Sequence, residues 1–170
     1  WPDIPRALSH ARAVAPNSTL VRLLYVVGWL VPQGRIDEGI ADLEGVLGQD
    51  PDSTWTNHWL GILYVLGRRW DRLLAHANAL IALDPISPWG YWIRATVSRV
   101  RGAPDEAVEH SGRAVDLSGR WPFMLGWHAL LLGIAGRVEE ARAILAELEE
   151  LAQTRYVPPT SFAWAWLALR

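Results

Sequence analysis

Cysteine and lysine are both missing from this 170-residue chain, and each absence removes a class of chemistry. Without cysteine there is no disulfide, no thiolate nucleophile and no cysteine metal site. All 16 basic residues are arginine, so neither a Schiff-base lysine nor the lysine of a Walker-type phosphate loop is present. Long apolar runs are missing as well: Leu23 to Pro32 and Ala129 to Ala135 fall short of the roughly 20 residues that span a bilayer. No charged-then-apolar leader opens the chain, so a cytoplasmic protein without membrane insertion is expected. A net charge of −2 gives no electrostatic reason to expect nucleic acid. HExxH, a nucleophile elbow and a glycine-rich phosphate loop are absent too, so no catalytic residue, metal or cofactor is expected.

What the chain does have is a beat of about 34 residues. Asp50-Pro51 and Asp84-Pro85 close two apolar-periodic stretches, with Pro16 and Gly119 near the same spacing on either side. Gly34, Gly67, Gly102 and Gly136 keep similar time, although Gly67 falls one residue early. Repetition at this period predicts a solenoid, more often a binding surface than a catalyst. One register holds only small or medium side chains, Val27, Gly61, Ala95, Ala129 and Ala163, which lets neighbouring helices approach closely. Two later registers, Gly39, Leu73, Ala107, Ala141 and Val46, Leu80, Ala114, Leu148, contain no polar side chain.

Apolar spacing of three to four residues inside each half-unit predicts helices, as in Leu20, Leu23, Leu24, Val27 and Leu30. The glycines mark where the first helix of each pair stops, and Asp37, Pro104 or Glu139 opens the second. Asn17-Ser18-Thr19, Asp52-Ser53-Thr54 and Ser87-Pro88 are start signals for first helices. The chain is therefore read as one repeat domain over 1–170. Helix pairs are placed at 20–53, 54–87, 88–121 and 122–155, with half-units at 1–16 and 156–170. Ends cut within a unit, and a first residue other than methionine, predict a longer parent chain or end-to-end self-association.

These motifs make the chain resemble the tetratricopeptide repeat family. Leu60-Gly61-x-x-Tyr64 is similar to the family's first-helix signature. Gly102-Ala103-Pro104-Asp105-Glu106-Ala107 and Gly136-Arg137-Val138-Glu139-Glu140-Ala141 resemble its turn and second-helix start, and Ala82-Leu83-Asp84-Pro85 its closing motif. Gly39 and Leu73 stand where alanine is usual, and Ser118-Gly119 replaces Asp-Pro. The segment from Ser118 to Pro159 also resembles repeats attached to bacterial multidomain regulators. The resemblance implies an all-α fold, a right-handed α-solenoid of stacked antiparallel helix pairs.

It also implies that first helices line a concave groove for a protein or peptide partner. Three registers would then face that groove. The first carries Val21, Trp55, Trp89, Phe123 and Val157; the second Leu24, His58, Trp92, Gly126 and Thr160; the third Gly28, Ile62, Thr96, Leu130 and Trp164. The expected contact residues are Val21, Leu24, Trp55, His58, Ile62, Trp89, Trp92, Phe123, Leu130 and Trp164, with tryptophan and phenylalanine as anchors. Trp59, Trp70 and Trp127 are read as packing residues. The basic and amide residues that let some relatives grip a chaperone's carboxylate tail are missing from these registers. The glutamates of 139–150 read as a solvated face, and the cluster Arg68, Arg69 and Arg72, joined further on by Arg94, Arg99 and Arg101, as a solvated or salt-bridged surface. The expected function is a non-enzymatic scaffold binding an apolar or aromatic peptide or helix. The alternative is a regulatory segment of a bacterial signalling enzyme or transcription activator that docks on its own chain.

Overall fold

The computed structural model describes residues 3–170; Trp1 and Pro2, which open the expected 1–16 half-unit, lie outside the described residues. The protein is all-α, built of antiparallel helix pairs, with no strand among the described residues. In chain order the helices are α1 (Ile4–Val14), α2 (Thr19–Tyr25), α3 (Ile36–Leu47), α4 (Thr54–Leu66), α5 (Trp70–Leu83), α6 (Pro88–Val100), α7 (Pro104–Leu117), α8 (Pro122–Ile134), α9 (Val138–Leu151) and α10 (Pro159–Leu167). They form two compact units, Trp1–Leu73 and Leu74–Arg170, divided within α5.

The turns between paired helices follow one hydrogen-bonding rule. The N–H groups of Arg35, Arg69, Ala103 and Arg137 donate to the carbonyls of Leu30, Tyr64, Ser98 and Leu132 at 2.8–3.0 Å. Each bond spans five residues and brackets one left-handed residue, the Schellman arrangement that satisfies orphan carbonyls at a helix end. Gly34, Gly102 and Gly136 take that conformation at φ 71°, 74° and 76°. In the second expected unit it falls on Arg68 (φ 54°), whereas Gly67 stays right-handed at φ −80°. The expected turn glycine is thus corrected by one residue: backbone hydrogen bonding keeps the 34-residue beat even where the glycine is displaced.

In the first unit α3 packs against α2 and α4 around Val26, Leu30, Ile40, Leu43, Val46, Leu60 and Leu63. Gly39 earns its place there, since an added Cβ would meet Val26 at 3.0 Å and Leu63 at 3.2 Å. Beyond Tyr25, α2 widens into a π-helical turn, Val26–Leu30, and tightens into a 3₁₀ turn, Val31–Gln33. Pro32 explains the change: it has no N–H for the Gly28 carbonyl, and Val31 N–H bonds to Val26 five residues back. Ser18 caps α2 by accepting from Val21 N–H at 3.4 Å.

The second unit is built on tighter helix contacts. Ala95, Ala107, Ala129 and Ala141 are fully buried, as are Ile93, Leu125 and Leu148. An added Cβ on Gly126 would lie 2.5 Å from Ser161 Cα, and one on Gly133 would lie 2.4 Å from the Ala168 carbonyl oxygen. Glycine is therefore required wherever α8 meets the chain of α10 backbone to backbone. Pro88, Pro104, Pro122 and Pro159 each open a helix, where a missing N–H leaves nothing unsatisfied.

Candidate functional site

The first helices of the second unit carry a connected aromatic cluster. Trp89 lies 6.0 Å from both Trp92 and Phe123 and 5.8 Å from Trp121, ring centre to ring centre. Phe123 continues to Trp121 and to Trp164, each at 5.2 Å. Trp127 closes the set, 6.1 Å from Trp92 and 5.3 Å from Trp164. Most pairs are tilted or edge-on, the arrangement that the ring quadrupole favours, worth about 0.5–1.5 kcal/mol per pair beyond area burial. The helical spacing of Trp89 and Trp92 on α6, and of Phe123 and Trp127 on α8, is what aligns them.

The cluster has a floor and a rim. Trp92 and Trp127 are buried, at 7% and 9% relative exposure, whereas Trp89, Phe123 and Trp164 are half-buried and Trp121 is exposed. Trp92, expected as a contact residue, is buried and packs against the rings of Trp89, Phe123 and Trp127. Trp127, read as a packing residue, belongs to the same cluster. Leu130 is half-buried on α8, and Gly126 and Val157, from the same registers, are buried against neighbouring backbone or side chains. Trp121, which precedes Pro122, joins the cluster from outside the 34-residue registers.

In the first unit Trp55 is 66% exposed, with its ring 6.2 Å from His58, which in turn lies 5.8 Å from Trp59. His58 is buried, and burial pushes its imidazole down to about 4, so it is neutral at physiological pH. Leu24 is exposed on α2, while Val21 and Ile62 are half-buried.

Polar chemistry lies elsewhere. In the second unit a cleft of about 690 Å³ is lined by Tyr91, Arg94, His110, Arg113, His128 and Arg137, with Glu109 and Asp116 beside them. His128 Nδ1 lies 2.7 Å from Ser111 Oγ, and burial, helped by Arg137 and Arg120, holds its imidazole near 4. Charges of both signs line this cleft, and among the described residues no three His, Asp or Glu side chains gather as metal ligands would. Among the described residues no helix is long and apolar enough to cross a membrane.

Paired helices, repeated turns and this face define an all-α helical-repeat protein of tetratricopeptide-like fold. No family model and no curated protein matches the chain. Among solved structures it is similar to MamA, residues 41 to the end, from Desulfovibrio magneticus RS-1: 15% identity, TM-score 0.67, covering 89% of this chain and 87% of that one. A crystal structure of MamA protein is also similar, at 16% identity and TM-score 0.54, covering 86% of this chain and 76% of that one. At such identities the likeness is one of fold.

Proposed function

We propose that this chain is a non-enzymatic protein-interaction module of the tetratricopeptide class that binds an apolar or aromatic peptide or helix on its first helices. The observation that carries this reading is the aromatic cluster of the second unit, whose Trp89, Trp121, Phe123 and Trp164 keep part of their surface open to solvent. Large aromatic side chains held rigid by their neighbours supply contact area with little rotamer entropy left to lose. In the first unit the same reading assigns Val21, Leu24, Trp55 and Ile62 to contact, with His58 as support.

The test selects peptides from a random phage-displayed library against the whole chain, then measures the synthetic peptides by calorimetry. The double variant Trp89→Ala, Phe123→Ala is expected to weaken binding by about a hundredfold or more, the combined effect of two anchor residues. Far-ultraviolet circular dichroism should show unchanged helix content. Selected peptides that bind the double variant as tightly as the parent chain would overturn the assignment.

A further inference from the structure

The helices that carry the aromatic face carry no acid. None of the 18 Asp and Glu residues falls in α2, α4, α6, α8 or α10; all lie on the partner helices or in loops. Across α6, α8 and α10 the residues charged at neutral pH are Arg94 and Arg99, because His128 is held neutral. Arg94 points to α5, donating to Asn78 Oδ1 from Nε at 3.2 Å and Nη2 at 2.7 Å.

Arg99 has no such partner among the described residues. Its guanidinium carbon lies 5.6 Å from the centre of the Trp127 ring, one member of the aromatic cluster. Its Nε is buried and meets no hydrogen-bond acceptor among the described residues. The Trp127 indole N–H is a second buried donor without an acceptor there. Positions 89, 92, 96 and 99 share one face of α6, so Arg99 lies on the side of the helix that bears Trp89 and Trp92. Attraction to the indole face returns about 0.5–2 kcal/mol, less than a charge-assisted pair with a carboxylate in a water-poor site. An unpaired cation set in an acid-free aromatic face fixes the sign of what completes it.

We propose that the aromatic face of the second unit takes an apolar peptide segment that carries an acidic side chain, with the Asp or Glu carboxylate paired to Arg99. Neighbouring apolar or aromatic side chains of the segment sit on Trp89, Phe123 and Trp164. An acidic side chain is favoured over a chain terminus because Arg99 is recessed. A side chain can reach a guanidinium whose Nε is already buried, whereas a terminus must bring its own backbone between the rings. This inference rests on the reading of the face as a docking surface.

The phage selection described above tests it when run in two formats, with peptides displayed internally and with a free C-terminus. The expected result is enrichment of Asp or Glu between aromatic and aliphatic residues in both formats. Changing that acid to its amide in the synthetic, C-terminally amidated peptide should weaken binding about tenfold or more, as should Arg99→Gln. Arg99→Lys should retain part of the affinity, and Arg99→Glu should select Arg- or Lys-bearing peptides instead. If the selected peptides lack an acid and Arg99→Gln binds them unchanged while Trp89→Ala does not, the pairing is wrong and the docking surface stands. Enrichment confined to free C-termini would overturn the side-chain source. No selected peptide, or none sensitive to Trp89→Ala, would overturn the docking surface and the pairing together.

Discussion

The two units differ in which contacts predominate although both are built from the same helix pair. In the first, arginine–acid contacts link the helices. Asp42 on α3 accepts from Arg22 Nε at 2.6 Å and meets Arg12 at 2.9 Å. Glu44 accepts from Tyr64 at 2.7 Å and from Arg72 at 3.0 Å, and Asp37 from Arg69 at 2.7 Å. In the second unit one such pair, Arg120 with Glu147 at 2.7 Å, joins the segment before α8 to α9, and the closest helix contacts are backbone against backbone at Gly126 and Gly133, beside a cluster of rings. A helical repeat fixes where helices turn, but the side chains at the contacts decide whether charge or shape joins them. The aromatic face belongs to the unit joined by shape, where glycine and alanine contacts set the spacing of the helices that bear it.

The largest expected effect breaks that shape. Gly133→Ala would place a methyl group 2.4 Å from the Ala168 carbonyl oxygen and 2.5 Å from its Cα. Backbone cannot yield as a flexible side chain can, so a loss of about 3 kcal/mol is expected. Hydrogen exchange read by mass spectrometry should show faster exchange in 122–167 than in the parent chain, with 36–66 much less affected. Gly112→Ala is the control. Its nearest neighbour would be His128 Cε1 at 3.6 Å, an ordinary contact. Alanine in the middle of α7 should then stabilise by about 0.5–1 kcal/mol. Equal effects of the two substitutions would show that close packing does not distinguish this unit.

Next in size is the charge network of the first unit. Asp42 is buried, and its removal leaves Arg22, 16% exposed at the side chain, without its carboxylate. Breaking a fully buried pair costs about 3–5 kcal/mol; because Arg12 is partly exposed and can be solvated, Asp42→Ala should cost about 2 kcal/mol. Urea unfolding measures the loss, and exchange should rise first in 19–47. A charge-free first unit as stable as the parent would erase the contrast.

Much of this fold was legible because helix periodicity and the turn signals agree. Gly34, Gly102 and Gly136 are left-handed, and the apolar registers of the second helices, Val46, Leu80, Ala114 and Leu148, are buried. The Pro32 distortion in α2 was visible as a proline, but whether a helix kinks, widens or stops there depends on tertiary contacts. The candidate site was legible only in part. Register placed Trp89, Phe123 and Trp164 on first helices, yet it could not separate exposed from buried positions, and His58 in the first unit and Trp92 in the second are buried. Arg99, grouped with the other arginines as a solvated or salt-bridged surface, lies instead against Trp127 with its Nε buried, because spacing along the sequence does not show which ring a long side chain meets; the acid-free composition of the first helices was the readable clue.

The smallest effect concerns a turn, and it sharpens the comparison by making the first unit more like the second. Arg68 occupies the left-handed position that glycine holds at 34, 102 and 136. For a residue with a Cβ that conformation costs about 1–2 kcal/mol. Arg68→Gly removes this cost but gives the unfolded chain more freedom, a penalty of about 0.5–1 kcal/mol. Arg68 is exposed and its side chain makes no ion pair among the described residues, so little else is lost. The balance is a gain of about 0.5–1 kcal/mol, read as a higher urea midpoint at unchanged slope. The reciprocal Gly102→Arg, at φ 74° with open space around the glycine, should lose a similar amount. Should Arg68→Gly instead lower the midpoint, the displaced glycine would be compensated by interactions of the Arg68 side chain, and the two units would differ at their turns as well as at their contacts.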